Sequence, residues 1–232
     1  MRDVEKILKK LFRPPSVANW VRHNYKRTDK TRSGLLRFVR VPPTYSLREV
    51  YAICEAIVTD QIALEQAEKC IEGISDSKAK EAAREIVPLF HAYVRETGFE
   101  GVSAFKGFST PYPLGKGPDG NNISIPVTPT FIILQNGQLV PVFVIGWATM
   151  TLNDYQKQLM STIIKDALLT QQDFLDSDAL IVCTPRLKRT NARHLLEWRV
   201  SEYGCLTEDE LQDQFSRYRS ALEDVARTLR SE

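Results

Sequence analysis

The residues best equipped for chemistry are cations near the start of the chain. Residues 1–48 hold thirteen Lys and Arg against three acids, Asp3, Glu5 and Asp29, a net formal charge of +10. The remaining residues hold eighteen bases and twenty-six acids, a net of −8, so the whole-chain charge of +2 conceals a basic segment on an acidic body. Asymmetry of this kind points to a polyanionic partner. Arg22, Lys26, Arg27, Lys30, Arg32, Arg37 and Arg40 are placed to neutralise phosphates. Trp20, Tyr25 and Phe38 interleave with them, as rings that stack on bases or anchor the segment to the body. The same charge would also dock the segment on an acidic protein partner or a neighbouring copy. Arg186, Lys188, Arg189, Arg193 and His194 form a second basic group between two apolar runs, either an exposed turn or a second phosphate contact.

Other chemistries find no local pattern. Cys54, Cys70, Cys183 and Cys205 include no C-x-x-C pair and no His at zinc-finger spacing, so free, reduced thiols are expected. His23, His91 and His194 share no spacing, and no role is assigned to them. Gly115-Lys116-Gly117 lacks the P-loop pattern and reads as a turn, or as a tip that touches a partner. No G-x-S-x-G nucleophile elbow is present. A metal centre would have to gather Asp119, Asp154, Asp166, Glu49, Glu55, Glu65 and Glu85, which nothing in the sequence groups. No metal or cofactor is therefore expected. No apolar run approaches the length of a membrane span and the first residues are charged, so the expectation is a soluble, cytoplasmic protein with no membrane partner.

The elements that must position these residues can be read in order. A composition of 43% hydrophobic and 26% charged residues is that of a chain with a real core. Val4, Ile7, Leu8, Leu11 and Phe12 make a short amphipathic helix that Pro14-Pro15 stops. Residues 16–40 read as a basic arm or hairpin, closed by Pro42-Pro43. Ser46-Leu47-Arg48-Glu49 is a capping box that opens a long helix to about Cys70. A second helix is expected over 78–96, ended by Thr97-Gly98 and kinked or turned at Pro88. The stretch 99–129 is rich in Gly and Pro, with GKGPDGNN as a turn and a strand at 123–127.

Two apolar runs joined by Asn136-Gly137 then predict a tight hairpin over 131–145 with a type I′ turn. Both strands are apolar at nearly every position, which requires cover on both sheet faces and hence an α/β core. A helix over 153–169, strands at 179–184 and 194–202, and a last helix opened by the capping box Thr207-Glu208-Asp209-Glu210 complete the pattern. In that helix Leu211, Phe215, Tyr218, Leu222, Val225 and Leu229 step by four and three, a coiled-coil-like seam. It serves either an oligomer or the chain's own body.

From residue 123 to 202 this order of strand, hairpin, helix, strand and strand resembles the core of the restriction-endonuclease-like, or PD-(D/E)XK, nuclease superfamily. The resemblance implies a central mixed sheet flanked by helices, with an Asp opening the first hairpin strand and an acid-x-Lys triplet on the second, holding divalent metal. Here Pro129-Thr130-Phe131 stands where Pro-Asp-Phe is expected, and Phe143-Val144-Ile145-Gly146 where acid-x-Lys-Gly is expected. Thr130 is a poor metal ligand on its own, and Phe143 and Ile145 neither bind Mg²⁺ nor assist a proton transfer. The resemblance thus implies an inactive nuclease homologue.

The sequence divides into a basic helix and arm (1–45), a helical region (46–98) and an α/β core with its last helix (99–232), the latter two expected to form one unit. The functional expectation is a non-catalytic nucleic-acid-binding protein acting as a recognition or assembly subunit. The alternatives are an oligomeric or protein-docking component and a nuclease with a relocated metal site.

Overall fold

In the computed structural model, which describes residues 2–41, 43–150, 152–190 and 192–231, the basic segment folds into helices instead of an arm or hairpin. α1 (Arg2–Leu11) is followed by α2 (Val17–Arg22) and α3 (Thr28–Arg40). The physical reason is a helical period that the density of charge obscures. Thr31, Leu35 and Val39 recur every four residues and are buried, while Lys30, Arg32, Arg37 and Arg40 are exposed. Pro42, half of the expected closing pair, lies outside the described residues.

Two helices, α4 (Arg48–Thr59) and α5 (Leu64–Glu72), replace the single long one expected from residue 46. Gln61 between them adopts φ 51°, which ends any right-handed helix. The Gln66 Oε1 accepts the Ala63 N–H at 3.1 Å to open α5. Ser46 does not close its capping box with Glu49; its hydroxyl accepts the Arg48 N–H instead, at 3.2 Å. α6 (Ser77–Thr97) is bounded by local signals, with the Asp76 carboxylate accepting the Ala79 N–H at 2.9 Å and Gly98 left-handed at φ 65°. It is continuous through Pro88, so no turn forms there.

The short β1 (Glu100–Gly101) precedes a two-stranded antiparallel ribbon of β2 (Thr110–Lys116) and β3 (Asn122–Val127). The strand expected at 123–127 therefore exists but lies outside the central sheet. β4 (Phe131–Gln135) and β5 (Gln138–Ile145) form the expected hairpin, and Asn136 and Gly137 take φ 52° and 78°, as a type I′ turn requires. α7 (Asp154–Ile164) starts at an Asn153 cap and runs into a π-helical turn over Lys165–Leu169. β6 (Leu180–Cys183), β7 (Leu196–Arg199) and α8 (Glu208–Ser231) complete the chain. The second capping box forms as read: Glu210 accepts the Thr207 N–H at 2.9 Å, and the Thr207 hydroxyl accepts the Glu210 N–H at 3.3 Å.

The central sheet is mixed, in the order β1-β4-β5-β6-β7, with only β5 and β6 parallel and α7 crossing between them. Alternation along its strands feeds two cores. Phe131, Ile133, Val142, Val144 and Val182 pack on the α4–α6 layer around Ile57, Ile86 and Phe90. Ile132, Phe143, Ile145, Ile181 and Cys183 face α7, α8 and the N-terminal helices. The chain is thus α/β with both faces of the sheet covered.

Of the two uses open to the last helix's seam, the structure shows the chain's own body and corrects the oligomer alternative. Leu211, Phe215, Tyr218, Leu222, Val225 and Leu229 are all buried inside the chain, against α3 and α1. Trp20 packs edge-on to Tyr218, with ring centroids 5.2 Å apart, and to Phe215 at 6.3 Å. The apolar seam is occupied by the basic segment's own apolar side, so it is not an open oligomer surface.

Candidate nucleic-acid interface

Lys30, Ser33, Arg37 and Arg40 lie at i, i+3, i+7 and i+10 along α3 and share its exposed face, opposite Thr31, Leu35 and Val39. The end of α2 crosses α3 at Gly34, where a β-carbon would sit 2.9 Å from the His23 carbonyl oxygen. That close approach brings Arg22, His23 and Arg37 together. Burial and then the charges of Arg22 and Arg37 drive the His23 ring down to about 4, so it is neutral at physiological pH. Burial and Arg37 likewise lower Arg22, which stays charged.

Three cations of the basic segment are seated on aromatic rings. The Arg22 guanidinium lies 4.6 Å from the Trp147 centroid, Lys26 Nζ 5.1 Å from Tyr155 and Lys10 Nζ 5.0 Å from Phe38. Such contacts hold a cation in place while leaving its charge intact. Trp147 follows Gly146 where β5 leaves the sheet, so α2 is joined to the sheet end. The Arg186 N–H donates to the Ala148 carbonyl at 2.9 Å, which sets the loop after β6 along the same segment. The two basic groups of the sequence therefore flank one stretch, residues 146–148.

The loop's own arginines serve the fold. Arg186 makes a bidentate pair with Glu85 of α6 at 2.7 to 3.1 Å. Arg193, whose side chain is only 2% exposed, donates to Glu85 at 2.8 Å and to the carbonyls of Gly146 at 3.1 Å and Thr184 at 2.6 Å. Burial alone would raise the Glu85 carboxyl, but hydrogen bonds and charge from both arginines outweigh it and hold it below the usual range. Arg186 is thus committed to an ion pair and is a poor phosphate contact, leaving Lys188 and Arg189 exposed in that loop. The Arg193 latch left no local trace in the sequence, since Glu85 lies 108 residues away.

The other expected contacts divide in the same way. Arg27 pairs with Asp29 at 2.6 Å on the surface, and Arg32 donates to Thr228 of α8 at 3.2 Å. Trp20 is 1% exposed and enclosed by α8, so it offers no face to a base and, contrary to expectation, does not stack on one. Tyr25 is half-buried, its N–H donating to the Thr31 hydroxyl at 3.0 Å.

The positions at which the sequence resemblance implies a metal centre carry structural groups. The Thr130 hydroxyl accepts the Val144 N–H at 2.9 Å and extends the β4–β5 ladder. Phe143 and Ile145 are buried in the core beside α7. Asp119 binds Asn121 in its turn, and Asp166 accepts from the Tyr112 phenol at 3.4 Å. Among the described residues no three His, Cys, Asp or Glu side chains gather as a metal site, and no helix is long and apolar enough to cross a membrane. No protein-family model matches the chain, and no curated protein is similar to it.

Proposed function

We propose that this chain is a non-catalytic, cytoplasmic nucleic-acid-binding protein on a degenerate nuclease-like scaffold, acting as a recognition or assembly subunit. The observation that carries the reading is the α2–α3 corner, where Lys10, Arg22 and Lys26 sit on aromatic rings beside Lys30 and Arg37. Fixed cations lose little freedom on meeting phosphates, and a row of them gives affinity without reading sequence. The rings beneath them are already covered, so the contact is with phosphates and not with stacked bases. The nuclease-like part of the reading is supported by the hairpin, the α7 crossover and the parallel β5–β6 pair, while the strand at 123–127, with which the resembling order begins, lies in the separate ribbon. The replacement of acid-x-Lys by Phe143-Val144-Ile145 supports its non-catalytic character.

The test is fluorescence anisotropy with labelled single- and double-stranded DNA and RNA across salt concentrations. Wild-type affinity should fall steeply with salt. Changing Arg22, Lys26, Lys30 and Arg37 to Gln should weaken binding to all sequences alike and flatten the log–log salt slope by about 0.9 for each duplex phosphate that the variant no longer neutralises. Unchanged affinity and slope in that variant would sink the assignment of this surface.

A further inference from the structure

Asn24, Gln156 and Gln214 are three amides, none more than 1% exposed, contributed by the end of α2, by α7 and by α8. The Gln156 Nε2 donates to the carbonyls of Val21 at 2.9 Å, Arg22 at 3.2 Å and Asn24 at 3.0 Å, closing the α2 terminus, where carbonyls have no partner within the helix. Its Oε1 accepts the Asn153 N–H at 3.1 Å, at the cap of α7. Asn24 donates to the Trp20 carbonyl at 2.8 Å and accepts from Gln214 at 3.0 Å. Gln214 in turn accepts the Tyr155 phenol at 2.6 Å, and Tyr155 is the ring that seats Lys26.

Buried amides are costly unless fully bonded, and apolar side chains of the same size would fill this space without that risk. What the amides supply is a fixed geometry, and it ends on the backbone of Arg22 and on the ring under Lys26. We propose that Gln156, Asn24 and Gln214 are positioning residues for the basic surface, holding Arg22 and Lys26 where phosphates meet them. The inference rests on the nucleic-acid reading and names the device that sets its geometry.

Gln156→Met preserves volume and removes the four bonds that the Gln156 amide makes, to the carbonyls of Val21, Arg22 and Asn24 and from the Asn153 N–H. With labelled single- and double-stranded DNA and RNA oligonucleotides, it should weaken affinity several-fold and make the salt slope shallower by about 0.9 on a duplex or about 0.7 on a single strand, the signature of one fewer neutralised phosphate. The slope change should vanish when Arg22→Gln is already present. A merely structural role would lower the folded fraction, shift affinity equally at every salt and leave the slope intact. Tyr155→Phe provides a milder second variant, since it keeps the ring and deletes only the phenol's two bonds, the one it donates to Gln214 and the one it accepts from Arg217 at 3.3 Å; its smaller slope change should vanish in Lys26→Gln. Wild-type binding with full slopes in both variants would overturn the positioning role alone. A wild type that binds none of the oligonucleotides at low salt would overturn the functional reading, and this inference with it.

Discussion

His23 is where burial and two cations act on a single titratable ring, with Phe38 against it at 5.4 Å between centroids. Its pKa falls from 6.5 to about 4 in the folded chain, first through burial and then through Arg22 and Arg37. The sign of the consequence is fixed by linkage. Between pH 6.5 and 4 the unfolded chain binds a proton that the folded chain does not, so stability rises with pH across that window. The contribution is complete above pH 6.5 and is lost as the pH falls towards 4. His23→Gln should remove that dependence, giving a flatter plot of urea-unfolding stability against pH than wild type. Parallel plots for the two proteins would show that the ring titrates normally in the fold. The neutral ring also fixes a division of labour at the corner, because positive charge there comes from Arg22 and Arg37 and the imidazole serves as a packed spacer between them.

At the scale of elements, the crossing of α2 and α3 at Gly34 decides where those charges stand. A β-carbon at residue 34 would meet backbone atoms of His23 at 2.9 and 3.3 Å, and backbone yields far less readily than a side-chain tip. Gly34→Val should therefore cost about 1–3 kcal/mol, as overpacking does, and should also weaken nucleic-acid binding by moving Arg22 away from Arg37. Urea unfolding together with anisotropy checks both, and a variant as stable as wild type would show that the crossing has slack. Nothing in the sequence singled out Gly34, because its role depends on a contact eleven residues back that only the helix pairing creates. β2 contains Pro111 and Pro113, which suppress a strand signal but are tolerated in a two-stranded ribbon with open edges. The hairpin, α6 and α8 were legible because their signals are local: Asn136-Gly137, the Gly98 stop and the Thr207-Glu210 box. The candidate site was legible in its cations and illegible in its geometry, since Trp147, Tyr155, Gln156 and Glu85 come to it from distant parts of the chain.

At the scale of the whole molecule, the charge asymmetry and the core are built from the same helices. The exposed side of α3 carries Lys30, Arg37 and Arg40, while its buried side, with Trp20 and Val21 of α2, covers α8 and joins the core shared with the sheet. A basic arm could be removed without consequence for the body, whereas these helices cannot. The point is sharpest at Leu222, which is fully buried in the seam of α8. Were that seam an oligomer interface, Leu222→Glu would yield a folded, dissociated chain. Because its partners lie within the chain, the introduced carboxylate would have to be buried without a counter-ion, a defect of the severest kind for a domain of marginal stability. The expected result is a drop of at least about 3 kcal/mol or outright failure to fold, seen by urea unfolding and circular dichroism, with no dimer-to-monomer change in light scattering. A wild-type dimer converted by this change to a stable, folded monomer would return the seam to the surface and detach the basic helices from the core that the structure gives them.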